Sequence, residues 1–198
     1  MNTLATWILT VLLSIAPPHK NSKYSKESEA DMKERYISIA KDMSIAIQNS
    51  KPLFQGKDVE LRTAALLTSI AFYESGFKKE VDDGRSRGDD GRSWCLMQIN
   101  IGNNHVRVGD DTMRSWTGKD LVKDRQKCLA VGLEMIRLSL NQCSKFKGGS
   151  ALSAYTTGKC IANEKHAVFR WNFSQRLLNR FPYILANSEK PEFVSDKK

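Results

Sequence analysis

Residues 64–77 read "AALLTSIAFYESGF", and the reading of this stretch decides the fold. It is apolar or hydroxyl-bearing on nearly every side until Glu74. A helix of that composition is the buried centre of its domain, not an amphipathic surface element. Asp58 stands where it can cap the helix, the run is expected to reach about Tyr73, and Gly76 supplies the stop. Glu74 is the anomaly. The negative end of a helix dipole and a poorly hydrated site both disfavour an ionised carboxylate. A carboxyl that keeps its proton near neutral pH suits general-acid chemistry, such as protonating a leaving oxygen. The alternative is a Glu74 that has left the core for water, and the stretch alone leaves both open.

Working outward, Met32, Tyr36, Ile39, Ala40, Met43 and Ile47 recur at spacings of three and four, which predicts an amphipathic helix over 31–49 with Asp31 as its N-cap. Residues 78–93 are charged and glycine-rich, without helical period. "WCLMQIN" after them is short and strand-like, and a polar loop runs on to about Lys119. Helical periodicity resumes near Lys127, at "SALSAY", and from Glu164 to about Ala186. The fold class expected is mainly α (α+β): a helical domain over 31–186, with a small β-hairpin lobe beside the Glu74 helix. Residues 187–198 are expected to be a disordered tail.

The first 18 residues contain a 13-residue run, Leu4 to Ala16, closed by two prolines. That is short of the roughly 20 residues needed to cross a bilayer. It fits the hydrophobic part of a signal peptide, or a short N-terminal anchor, with 19–30 as a linker. A buried or frayed helix is the plain alternative. The four cysteines, Cys95, Cys128, Cys143 and Cys160, form no CxxC pair, so two disulfides are expected and a zinc site is not. Three pairings are possible.

The chain of 198 residues has 31 Lys and Arg against 22 Asp and Glu, a formal charge of +9. That favours anionic partners. The basic residues are scattered, with no zinc-finger spacing and no aromatic–basic repeat, so a nucleic-acid partner is not expected. His19, His105 and His166 lack metal-ligand spacing and read as surface or structural. No P-loop, GxGxxG or GxSxG occurs; no cofactor and no metal is expected. Asp82, Asp83 and Asp90 read as turn residues of the two "DDG" triplets. Trp94, Trp116, Trp171 and Tyr155 fit a core, although an aromatic beside the glycine-rich loop can stack on a sugar ring.

Three blocks then fall in order: "ES" at 74–75, "GDDGRSWCLMQIN" at 88–100 and "KGGSALSAYTTG" at 147–158. Together they resemble the lysozyme-like superfamily, and more narrowly goose-type lysozymes and soluble lytic transglycosylases, over roughly half the chain. Those enzymes cut the β-1,4 bond between N-acetylmuramic acid and N-acetylglucosamine in peptidoglycan.

The resemblance implies a lysozyme-like domain with Glu74 as catalytic acid and Asp89 as the aspartate that positions the attacking water. It implies substrate-side roles for Ser75, Met97, Gln98, Tyr155 and Thr156. It also places Asp124 and Gly132 in register with a family helix start. Cys95 stands where the family has glycine, which suits a disulfide anchoring the small lobe; Thr156 and Asn100 replace an asparagine and a second aspartate. Under hydrolysis with inversion the Glu74 and Asp89 carboxyls are expected roughly 6.5–9.5 Å apart. A transglycosylase needs no second carboxylate, because the substrate's C6 hydroxyl attacks. The expected protein is an exported monomer acting on peptidoglycan glycan strands and held to an anionic cell-wall surface. A catalytically weak wall-binding or structural component with the same fold is the alternative.

Overall fold

The computed structural model describes residues 1–21, 27–107 and 115–182. In chain order the helices are α1 (Thr3–Ile15), α2 (Pro18–Asn21), α3 (Glu29–Gln48), α4 (Val59–Ser75), α5 (Lys79–Asp82) and α6 (Gly88–Gly91). Two short antiparallel strand pairs follow, β1 (Ser93–Trp94) with β2 (Ile99–Asn100), then β3 (His105–Arg107) with β4 (Ser115–Thr117). The chain returns to helix with α7 (Gly118–Lys123), α8 (Arg125–Gln142), a 3-10 turn at Gly148–Leu152, α9 (Ser153–Thr157) and α10 (Lys165–Arg180). The architecture is mostly helical with small antiparallel β elements, the class expected from the sequence.

α4 is the axis. Every residue from Thr63 to Ala71 is buried, so the helix has no polar face to turn to water and must be enclosed on all sides. α3 and α10 pack along it, and α8 packs on α3. α4 runs to Ser75, slightly beyond Tyr73, and stops where Gly76 takes φ 58° and donates its N–H to the Phe72 carbonyl at 2.8 Å. Only glycine adopts that left-handed conformation at no steric cost. Phe77 turns its ring into the core, and its carbonyl accepts from Arg35 Nη1 on α3 at 2.9 Å. The exit of α4 is thereby fixed from two sides.

Several boundaries differ from expectation. α3 starts at Glu29 and is capped by Ser28, whose side chain accepts from the Asp31 N–H; Asp31 is the third helical residue, not the cap. The hydroxyl reaches that amide because the chain enters extended at Ser28. Asp58 precedes α4 but sits in the left-handed region without a side-chain cap bond. The linker assigned to 19–30 already carries the end of α2 and the start of α3; residues 22–26 lie outside the described residues. So does the tail at 187–198.

The N-terminal run forms a helix that packs on the helical body. α1 lies on α3 and α4, with Trp7, Ile8, Val11 and Leu12 fully enclosed. Burying an aliphatic side chain of this kind stabilises by about 1.5–3 kcal/mol. Trp7 Nε1 donates to the Phe181 carbonyl at 2.9 Å, and Asn2 Oδ1 both caps α1 and accepts from Ser44 Oγ at 3.0 Å. The apolar face of the run is the one that meets α3 and α4. Among the described residues, no helix is long and apolar enough to cross a membrane.

One hairpin was expected, and among the described residues two antiparallel strand pairs are present. β1 and β2 pair Ser93 with Asn100 and Trp94 with Ile99. The turn between them holds Cys95 and Gln98 at φ 57° and 47°. Non-glycine residues held there need support from their surroundings. Cys95 has it in a disulfide to Cys128 on α8, and a second bridge joins Cys143 to Cys160. The first ties the small lobe to the helical body, and the second closes the segment carrying the 3-10 turn and α9.

Candidate active site

Glu74 sits in the last turn of α4, in a cleft of about 380 Å³ lined by Asp89, Gln98, Asn100, Tyr155, His166 and Arg170. Its side chain is 20% exposed and ion-paired: Oε1 accepts from Arg170 Nη2 at 2.8 Å. Two effects oppose each other on this carboxyl. Burial raises its pKa, while the charge and hydrogen bond of Arg170 lower it, and the negative charge of Asp89 adds to the upward push. Burial wins, and the carboxyl holds its proton above the ordinary range. Of the two readings the sequence left open for Glu74, the poorly hydrated one describes the molecule.

Asp89 comes from the glycine-rich segment by a tight local device. Asp89 and Asp90 both take left-handed conformations, with φ of 51° and 55°, which short acidic residues tolerate better than most. Asp89 Oδ2 then accepts from Ser93 Oγ at 2.5 Å and from Asn100 Nδ2 at 2.9 Å. Asn100, where the resembled family often has a second aspartate, is thus a donor that fixes Asp89. Gln98 does similar work: Oε1 accepts from the Gly88 N–H at 2.8 Å, and Nε2 donates to the Cys95 carbonyl at 3.0 Å. These bonds join the lobe to the Asp89 segment.

Tyr155 donates its hydroxyl to the Met97 carbonyl at 3.3 Å, and its N–H is held by Ser139 Oγ of α8 at 2.9 Å. Burial, reinforced by the charge of Glu74, holds the phenol proton well above its usual range. It stays a neutral donor. Thr156 reaches the cleft wall, but its hydroxyl is engaged by the Ser153 carbonyl at 3.1 Å and Glu164 Oε2 at 2.7 Å. Glu164 also caps α10 through the N–H groups of His166 and Ala167. Thr156 therefore links α9 to the start of α10.

Two expected substrate-side residues are placed elsewhere. Ser75 is buried, donates to the Ala71 carbonyl at 2.7 Å and accepts from the Phe77 N–H at 3.2 Å; it closes the helix end. Met97 is fully enclosed against α8, and only its carbonyl serves the site, through Tyr155. Asp82 pairs with Arg125, and Asp83 with Arg85 and Lys79, so neither joins the cleft. His166, read as surface or structural, lines it.

Arg170 was missed altogether. On α10 the buried residues Ala167, Ser174 and Leu177 form a stripe at helical spacing, and Arg170 falls on that stripe. An arginine on an otherwise inward-facing stripe is the signal that could have pointed to a buried partner.

A second hollow of about 460 Å³ lies between the end of α3, Trp116 and α8. Its acids are all committed: Glu134 to Arg137, and Asp124 to capping α8 and to Lys127. The Glu74 cleft, with one carboxyl of raised proton affinity and a second tied by neutral donors, is where acid–base chemistry can occur. Among the described residues, no group of histidine, cysteine and acidic side chains could hold a metal ion. Comparison with family models, curated proteins and solved structures finds no match to this chain.

Proposed function

We propose that the protein is a peptidoglycan-cleaving glycosidase of lysozyme-like type, cutting the β-1,4 bond between N-acetylmuramic acid and N-acetylglucosamine with Glu74 as general acid. The observation that carries this reading is Glu74 itself: a carboxyl with raised proton affinity at the end of a buried helix, opening on a cleft that Asp89 and Tyr155 share. In the mechanism, Glu74 gives its proton to the glycosidic oxygen. The C1–O bond breaks, its electron pair leaves with that oxygen, and positive charge develops at C1. The charge is captured either by water or by the C6 hydroxyl of the same sugar. Water would pass its proton to Asp89; the hydroxyl would return its proton to the Glu74 carboxylate.

No described residue donates to Asp89 Oδ1, which leaves that atom for the water of the hydrolytic route. A monomer working outside the reducing cytoplasm fits the two disulfides. The formal charge of +9 suits attraction to an anionic wall, which salt would weaken. The second reading is a wall-binding or structural component that keeps the fold with little catalysis; the ion pair that engages Glu74 favours it.

The test compares wild type with Glu74→Gln on purified peptidoglycan. Loss of about 10²–10⁴-fold in cleavage is expected. Equal clearing by both proteins would remove Glu74 from the mechanism, and clearing by neither would favour the second reading. Mass spectrometry of the released fragments separates the chemistries: hydrolysis leaves a reducing end, and transglycosylation a 1,6-anhydro ring.

A further inference from the structure

We propose that Arg170 is a positioning residue for Glu74, which assigns the carboxyl's two oxygens different tasks and makes Oε2 the one that carries the transferable proton. The inference rests on the acid role proposed for Glu74. It follows from what an arginine can and cannot do. A guanidinium donates five N–H groups and accepts nothing. With Nη2 donating to Oε1 at 2.8 Å, Oε1 must act as the acceptor in either protonation state. The carbonyl oxygen of a protonated carboxyl is a stronger acceptor than its hydroxyl oxygen. The arginine at Oε1 therefore favours the proton on Oε2, to which no described residue donates.

Arg170 is itself held for the purpose. Its carbonyl accepts from Ser69 Oγ of α4 at 2.7 Å, and Nη1 donates to the His166 carbonyl at 3.2 Å. The guanidinium also lies 5.8 Å from the centre of the Tyr73 ring, one residue before Glu74. Its buried Nε has no hydrogen-bond partner, so the geometry serves the Glu74 contact at the expense of the arginine's own donors.

The arginine also bears on how readily the proton leaves. Charged or titratable groups facing Glu74 are Arg170 and His166 from α10, Asp89 from the 88–91 turn, and Tyr155 from α9. Arg170 is the largest influence opposing burial. As the proton passes to the sugar oxygen, Glu74 becomes a carboxylate, and the adjacent cation stabilises it. Burial keeps the proton on until substrate arrives; Arg170 keeps the acid strong enough to release it.

The experiment uses the full chain with Arg170→Met and Arg170→Lys. Glu74 is followed by 13C NMR of the glutamate side-chain carboxyls, its signal assigned by loss in Glu74→Gln. Activity is followed as kcat/KM on peptidoglycan against pH. In Arg170→Met the Glu74 titration midpoint and the alkaline limb of the profile are expected to rise together by about one pH unit or more, while kcat falls. Arg170→Lys, which still donates to Oε1, is expected to recover part of both.

A midpoint unmoved in a folded Arg170→Met overturns the inference, since a merely structural arginine would lower stability without moving it. The NMR arm needs no activity. A wild type that cleaves nothing while the midpoint still rises overturns the glycan reading and leaves the Arg170 assignment standing.

Discussion

Two half-buried arginines teach opposite lessons. Arg125 at the start of α8 reaches Asp82 on α5 through Nε and Nη2, and Asp42 and Ser38 on α3 through Nη1. Each of its three nitrogens has a partner, and three helices are joined. Arg170 on α10 has one carboxylate, one backbone carbonyl and an unpaired Nε. Its carboxylate keeps an elevated proton affinity in spite of the contact. Full commitment of donors makes Arg125 a brace between helices. Partial commitment, to a partner that can still change protonation state, makes Arg170 a working part of a site.

The widest gap between the two should appear in stability. Arg125→Met takes the shared cation away from Asp42 and Asp82 in a poorly hydrated place. Removing one member of a buried pair costs about 3–5 kcal/mol; with side chains 9–25% exposed here, about 3 kcal/mol is expected in urea unfolding at pH 7.

Gly149→Ala sharpens the contrast from the α10 side. Its added Cβ would lie 2.4 Å from Val168 Cα and 3.0 Å from the Val168 nitrogen. Those are backbone atoms, so α10 must shift, carrying His166 and Arg170 with it. A loss of about 1–3 kcal/mol should come with a fall in peptidoglycan cleavage, the Arg125 brace being untouched. Full activity in a stably folded Gly149→Ala would mean the cleft tolerates displacement of Arg170.

Arg170→Met should cost less, about 1 kcal/mol, because it removes one carboxylate contact, to a group with raised proton affinity, where Arg125→Met removes two. Equal losses for the Arg125 and Arg170 variants at neutral pH would erase the distinction.

The sequence made one of these regions legible and hid the other. Glu74 is visible because its helix is apolar all round, so a single carboxylate stands out against its own neighbours. The even cysteine count foretold bridges but not their pairing, which depends on Cys95 facing Cys128 across the lobe. Arg170 lies 96 residues from Glu74, and nothing local marks which arginine on α10 turns inward except its place in the stripe. Ser75 and Met97 were assigned outward roles because motifs name residues, while the helix end and the packing against α8 decide where side chains go. β3 and β4 are too short to show alternation. The packing of the apolar segment at 4–16 on α3 and α4 is a contact that its composition alone does not announce.

The smallest effect expected is the most specific. Glu74 has a folded pKa raised above the 4.5 of an ordinary glutamate. Between those two values the native state binds more protons than the unfolded state, so stability falls as pH rises and levels off above the folded value. Glu74→Gln does not titrate, and its amide oxygen can still accept from Arg170. The stability difference, Glu74→Gln minus wild type, should therefore be flat below pH 4.5, increase through the window, and become constant beyond it. Thermal unfolding across pH measures this directly. Arg170→Met should extend the window upward, since the chief influence opposing burial is gone, while Arg125→Met should leave its position unchanged. A window that moves with Arg125 and ignores Arg170 would reverse the roles assigned to the two arginines.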